Sequence, residues 1–180
     1  MSGKSFAAIV GAETSVIQSL LTRAAGEWRD SGLKVCGLVE VLSKDSSRTC
    51  GASVLRNIET GETFDMFLKE APAHTSCLLD ELGIINACAS IMDSVPQSDL
   101  VILSKFGKAE AVGSGLFDAF ERASSLGKPT LTSVAPKFHY FWRRFAPEAA
   151  FVQPDCKQIE QWGRGLQHRA LGQVALTKVA

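Results

Sequence analysis

Lysines and glycines are concentrated in residues 104–115, directly after an apolar run at residues 100–103. A glycine-rich segment that leads into a helix exposes backbone N–H groups, and these groups bind anions when cationic side chains lie nearby. We therefore predict an anion site with these members: Lys105, Gly107, Lys108, Gly113, Ser114 and Gly115. The alternative is that the glycines only permit tight turns and that the lysines are solvated.

A second basic group lies in residues 136–145, where helical spacing separates two faces. One face carries Lys137, Tyr140 and Arg144, whose ammonium, hydroxyl and guanidinium groups are suited to a phosphate or an oxyanion. The other face is apolar and is expected to pack on the core; it consists of Phe138, Phe141, Trp142 and Phe145. A solvated helix face is the alternative for the basic residues.

An α/β sheet must position these segments, because short apolar runs alternate with helical patterns along the chain. Predicted strands at residues 6–10 and 33–41 flank a helix, which indicates parallel strands joined by a right-handed crossover. Further strands are predicted at residues 100–103, 129–134 and 151–152, with helices between them.

One segment departs from this alternation. Two runs of alternating polar and apolar residues surround Gly61, and they predict an antiparallel hairpin insertion at about 52–68. The length of the chain favours one domain over residues 1–180, with a C-terminal helical tail at about 155–180.

The turn after the first predicted strand lacks the phosphate loop of nucleotide-binding α/β proteins. Residues 11–19 contain one glycine, no lysine, and Glu13, which would repel a phosphate. The strand at residues 100–103 is followed by a serine and Lys105 where a magnesium-binding acid would be expected. Hydrolysis of a magnesium nucleotide by the usual residues is therefore not expected, and no G-x-G-x-x-G dinucleotide pattern follows the first strand.

The five cysteines are widely spaced. Cys36 lies in an apolar strand and Cys88 on an apolar helix face, so both are predicted to be inert core thiols. Cys50 and Cys77 flank the hairpin, and with His74 they are the residues from which a soft-metal or redox site could be built. No C-x-x-C spacing accompanies them, so neither a metal nor a cofactor is assigned.

The charge pattern limits the partners. The chain has 19 basic and 19 acidic side chains, and a net charge of zero argues against a general nucleic-acid or membrane-surface binder. Residues 1–100 carry a net −5 and residues 101–180 a net +5, so an anion site is expected in the second part. No apolar run reaches the roughly 18 residues that span a bilayer or resembles a secretory leader, and we therefore expect a cytoplasmic protein.

The pattern K-F-G-K-x-E-x-x-G-x-G, which includes Lys105, Lys108 and Glu110, resembles a bacterial family of uncharacterised proteins. Some genes of that family lie beside molybdate-transport or nitrogenase-related genes, and the family is similar to small thermophilic-type P-loop nucleoside-triphosphatases. The resemblance covers roughly residues 6–153. It implies a three-layer, mostly parallel sheet of the P-loop NTPase type and a setting in molybdenum metabolism. It does not imply hydrolysis, because both catalytic motifs are missing.

These observations favour a non-hydrolytic binding or regulatory protein that holds a small anion, either a nucleotide phosphate or an oxyanion such as molybdate. One alternative is a nucleoside triphosphatase with a non-standard site, in which Glu110 would act on water or hold a metal. Another is a protein-interaction module whose aromatic and basic helix contacts a partner. The absence of the Walker A and Walker B motifs argues against an enzyme without deciding the question, and the sequence is compatible with a homo-oligomer.

Overall fold

The computed structural model describes residues 5–42, 53–68 and 79–177, with side chains described up to residue 166. Its strands are β1 (Phe6–Ile9), β2 (Val35–Leu42), β3 (Ser53–Asn57), β4 (Thr63–Asp65), β5 (Leu100–Leu103), β6 (Thr130–Ser133) and β7 (Ala150–Val152). Its helices are α1 (Thr14–Asp30), α2 (Glu81–Ile91), α3 (Lys108–Ala111), α4 (Phe117–Ser125), α5 (His139–Phe145) and α6 (Cys156–Thr177).

The strands form one sheet in the order β4-β3-β2-β5-β6-β1-β7. The pairs β2/β5, β5/β6, β6/β1 and β1/β7 are parallel, whereas β3 and β4 join antiparallel at one edge. The predicted α/β class and the predicted hairpin insertion are therefore confirmed. Because the parallel strands point the same way, their carboxyl ends lie at one edge of the sheet, where ligands bind in such folds.

The two strands of the first β-α-β unit are not neighbours in the sheet. β1 and β2 run in the same direction, but β5 and β6 lie between them in the sheet. Strand direction follows from the crossover helix, whereas strand order depends on pairings between segments far apart in the sequence. The loops after β5 and β6 consequently occupy the centre of the carboxyl edge.

Two cores cover the two faces of the sheet. Alternate residues of each strand face opposite sides, so that Phe6 and Ala8 join one core while Ala7 and Ile9 join the other. The first core includes buried residues of α2, α4 and α5, and the second includes buried residues of α1 and α6. The fold is the expected three-layer arrangement. No helix within the described residues is both long and apolar enough to cross a membrane.

Gly37 marks the closest approach between neighbouring strands. Its φ angle is +138°, and a Cβ atom at this position would lie 1.8 Å from the carbonyl oxygen of Ile102. Gly37 is aligned with Ile102 in the pairing of β2 with β5. Only glycine fits this backbone without moving β5, the strand that leads into the lysine-rich loop.

Candidate functional site

A cavity of about 330 Å³ lies at the carboxyl edge of the sheet. The loops after β1, β5 and β6 contribute to its wall, through Gly11, Ser104 and Ala135 among others. Three lysines belong to this wall, namely Lys105, Lys108 and Lys137. Lys108 and Lys137 are exposed, and Lys105 is partly buried. The two basic segments of the sequence therefore come together at this cavity.

Lys105 forms an ion pair within the protein. Its Nζ lies 3.3 Å from Oε2 of Glu40, a residue of β2 whose side chain is 12% exposed. Gln18 of α1 links β2 to the end of β5. Its amide nitrogen donates to the Ser104 carbonyl at 2.8 Å, and its amide oxygen accepts from the Glu40 N–H at 2.9 Å. An anion at Lys105 would therefore compete with the Glu40 carboxylate.

Glu110 holds the lysine- and glycine-rich loop closed. Its side chain is buried, with Oε2 accepting from the Gly107 N–H at 2.8 Å and Oε1 accepting from the Leu116 N–H at 3.0 Å. Leu116 precedes the first residue of α4, so the Glu110 carboxylate lies at the N-terminus of this helix. The sequence predicts that an external anion would bind there. A role for Glu110 as a base or metal ligand would require it to leave both N–H groups.

The remaining residues of the predicted loop site shape the turn between α3 and α4. Gly113, Ser114 and Gly115 lie outside the cavity wall. Gly113 and Gly115 have φ angles of +78° and +65°, and a Cβ atom on Gly115 would lie 2.5 Å from the Glu110 carboxylate. The alternative interpretation, that these glycines permit tight turns, therefore has a geometric basis, because they let the chain pass around the Glu110 side chain.

The turn after β1 is too short to enclose a phosphate. Only four residues, 10–13, separate β1 from α1. Glu13 takes the N-cap position, where its side chain accepts no capping hydrogen bond, and Thr14 is the first helical residue. A phosphate loop needs a longer glycine-rich turn and a lysine, and neither is present.

The second basic segment divides between the cavity and the solvent. Lys137 lines the cavity, whereas Tyr140 and Arg144 lie outside its wall, with the Arg144 guanidinium 5.9 Å from the centre of the Tyr140 ring. The apolar stripe of this segment is also incomplete. Trp142 is fully buried, but Phe141 is 42% exposed. Phe138 lies in a 3-10 turn (Pro136–Phe138) before α5, so the expected helical spacing does not run through the whole stripe.

The family model described as protein of unknown function (DUF2478) matches residues 6–162, which is most of the sequence. The chain belongs to the DUF2478 family. A curated relative of the DUF2478 chain is the molybdenum import ATP-binding protein ModC 2 of Bradyrhizobium diazoefficiens, which is 29% identical over 165 residues. The match covers 91% of the DUF2478 chain but 18% of that relative, so the chain spans less than a fifth of the relative's length. No solved structure has significant similarity to the chain.

The sequence did not reveal the apolar part of the cavity wall in this DUF2478 chain. Leu55 and Met66 come from the hairpin and the segment after it, Leu79 and Ile84 from the start of the α2 region, and Leu116 from the turn before α4. Alternation in the hairpin could have indicated that Leu55 faces inward. No local pattern shows that these five side chains share one cavity, because they are brought together only by the tertiary structure.

Two cysteines lie in the core, as the sequence predicts. Cys36 and Cys88 are buried, and burial raises the pKa of each thiol to about 11. Cys50, Cys77 and His74 lie outside the described residues. The described part of the chain contains no cluster of three or more residues that could bind a metal ion.

Alkylation should separate these thiols. We expect iodoacetamide at pH 8 to leave Cys36 and Cys88 unmodified in the folded protein, because only the thiolate is nucleophilic and burial keeps both thiols protonated until about pH 11. Cys156 is only partly buried and should react. Peptide mass spectrometry before and after unfolding in urea measures this difference. Modification of Cys36 as rapidly as Cys156 in the folded protein would contradict the buried assignment.

Proposed function

We propose that this chain is a non-hydrolytic protein that binds a small anion, and that it regulates a process in molybdenum metabolism. The observation that carries the proposal is the convergence of Lys105, Lys108 and Lys137 on one cavity at the carboxyl edge of the sheet. Lys108 and Lys137 are exposed and Lys105 is paired with Glu40, so the attraction comes from several ammonium groups that act together on one anion.

The geometry favours binding over hydrolysis. The four-residue turn between β1 and α1 has no lysine, and Lys105 follows β5 where a metal-binding acid would be needed. Glu110, the acid that a triphosphatase would have to use, already accepts two backbone N–H groups. These observations support a P-loop NTPase-like fold that has kept a ligand edge without the usual catalytic residues.

The molybdenum setting is supported by the relative. A segment similar to this chain makes up 18% of a protein named for molybdenum import and ATP binding. Segments joined in one chain commonly act together, since linkage raises their effective concentration. We therefore propose that the chain acts beside an ATP-binding protein of molybdenum import, and that its ligand is molybdate or a phosphate compound.

Thermal unfolding with a panel of anions tests the binding proposal. At about 100 times the dissociation constant, a ligand stabilises the folded state by about 2.7 kcal/mol, which corresponds to roughly 5–10 °C in Tm for a protein of this size. We expect such a shift with molybdate, inorganic phosphate or ATP. The K108A/K137A double variant should bind the active anion roughly tenfold more weakly, because it removes two cations from the cavity wall.

Lys157→Ala supplies the matched control, since Lys157 is an exposed lysine of α6 outside the cavity wall. It should leave the shift unchanged. The absence of a shift with every anion, or an equal loss in the control, would contradict the proposal. Magnesium-dependent phosphate release that is abolished in Glu110→Gln, without loss of stability, would instead support the triphosphatase alternative.

A further inference from the structure

The cavity wall has a cationic part and an apolar part. The apolar part includes Leu55, Met66, Leu79, Ile84 and Leu116, none of which has a side chain that forms strong hydrogen bonds. Ile17, Phe106, Val134 and Phe138 add further apolar side chains to the wall. Leu55 and Met66 are each 1% exposed and belong to the core behind the cavity, whereas Leu79 is partly buried and offers more of its side chain to a ligand. Aliphatic surface of this kind favours a ligand group that water solvates poorly.

Leu55 is separated from the lysines along the sheet. Leu55 lies in β3, whereas Lys105 and Lys108 follow β5 and Lys137 follows β6. β5 and β6 are two and three strands away from β3, which corresponds to about 10 and 14 Å at the usual strand spacing. A ligand that reaches from Lys137 to Leu55 must therefore be elongated, whereas Leu116 lies beside the lysine-rich loop, because its N–H donates to Glu110.

The size of the cavity agrees with an organic ligand. A tetrahedral oxyanion with four oxygens occupies on the order of 100 Å³ if each oxygen takes about the volume of a water molecule. The cavity volume is about 330 Å³. A bare oxyanion would thus leave most of the apolar wall in contact with water.

Several polar side chains beside the cavity are already paired within the protein. The Ser133 hydroxyl and the Gln18 amide both donate to the Ser104 carbonyl at 2.8 Å. Glu110 accepts two backbone N–H groups. A ribose or a nucleobase placed against the apolar wall would leave its own polar groups without partners, which costs free energy.

We propose that the ligand of this cavity is an amphipathic organic anion, with an anionic group such as a phosphate monoester at the lysines and an apolar body against the aliphatic wall. This inference rests on the proposed anion-binding function and specifies the class of ligand. It distinguishes an aryl or alkyl phosphate from free molybdate, free phosphate and a nucleotide.

A series of phosphates with one head group and different bodies tests the inference. Inorganic phosphate, phenyl phosphate, 1-naphthyl phosphate and AMP are titrated at pH 8 by calorimetry, where each carries close to two negative charges. We expect 1-naphthyl phosphate to bind at least about tenfold more tightly than inorganic phosphate, because its rings are removed from water. We expect AMP to bind more weakly than 1-naphthyl phosphate.

Two leucine substitutions, at positions 79 and 82, test the contact with the apolar body separately from the contact with the phosphate group. Leu79→Asn should weaken binding of 1-naphthyl phosphate several-fold and leave inorganic phosphate unchanged, because Leu79 lines the apolar part. Leu82→Asn is the matched control, since Leu82 is 67% exposed on α2 and lies outside the wall. Circular dichroism verifies that both variants fold. If Leu79→Asn does not fold, the comparison of the four phosphates on the wild-type protein still decides the inference.

The outcomes distinguish this inference from the proposed function. Equal affinities for inorganic and 1-naphthyl phosphate would overturn the amphipathic class and retain the anion site. Tighter binding of AMP than of 1-naphthyl phosphate would also overturn it, in favour of a nucleotide. If none of the four compounds binds and molybdate does not bind either, both proposals fail.

Discussion

Replacing Gly37 by alanine is expected to abolish stable folding, with a loss of more than about 4 kcal/mol in the free energy of unfolding. Two costs combine at this position. The φ angle of +138° is strained for any residue with a Cβ atom, and that atom would lie 1.8 Å from the Ile102 oxygen and 2.7 Å from the Ile102 carbonyl carbon. Relief would require β2 and β5 to separate at the centre of the sheet. Urea unfolding, or the yield of soluble protein, measures the effect.

Gly26→Ala is the matched control for this prediction. Gly26 lies on the exposed side of α1, and a Cβ atom there meets no heavy atom within 4 Å. The same substitution should therefore stabilise the protein by about 0.5–1 kcal/mol, because alanine favours the helix. The two variants should move the free energy of unfolding in opposite directions. A Gly37→Ala protein within about 1 kcal/mol of the wild type would contradict the close approach of the strands.

Glu110→Ala is expected to cost about 2–4 kcal/mol in the free energy of unfolding, since it removes the acceptor of two backbone N–H groups. The Leu116 N–H is buried, so water cannot readily replace the lost hydrogen bond. The loop that carries Lys108 should also lose its fixed shape, and anion affinity should fall with stability. Urea unfolding together with ligand titration measures both effects.

Glu121→Ala provides the control for the loss of a carboxylate. Glu121 is an exposed residue of α4, and its removal should change the free energy of unfolding by no more than about 0.5 kcal/mol. If Glu110→Ala were as stable as the control, the carboxylate would not be the closing element of the loop. A catalytic role for Glu110 would then regain support.

Local patterns were sufficient to predict the fold class. The apolar run at Leu100–Leu103 is a buried strand at the predicted residues, because a strand covered on both faces has no polar positions. The hairpin was predictable from Gly61, whose φ angle of +75° is accommodated by the turn between β3 and β4. Both features depend on residues close together in the sequence.

The arrangement of the site could be predicted only in part. The charges of Lys105 and Lys137 indicated an anion site, but the Glu40 partner of Lys105 lies 65 positions away in the sequence. Glu110 belongs to the motif recognised in the sequence, although residue spacing alone does not show that its carboxylate binds the backbone of its own loop. Tyr140 and Arg144 were expected on one helical face with Lys137, but Lys137 lies in a 3-10 turn (Pro136–Phe138) before α5, so the helical spacing does not extend to it. Tyr140 and Arg144 lie outside the cavity wall.

The pairing of Lys105 with Glu40 also affects the selectivity of the proposed site. Any anion that binds Lys105 must compete with a carboxylate that is already in place at 3.3 Å. A singly charged anion such as chloride offers Lys105 little advantage over that carboxylate, whereas a doubly charged phosphate or molybdate attracts the ammonium more strongly. At Lys105 of the proposed site we therefore expect Glu40 to disfavour monovalent anions more than divalent ones.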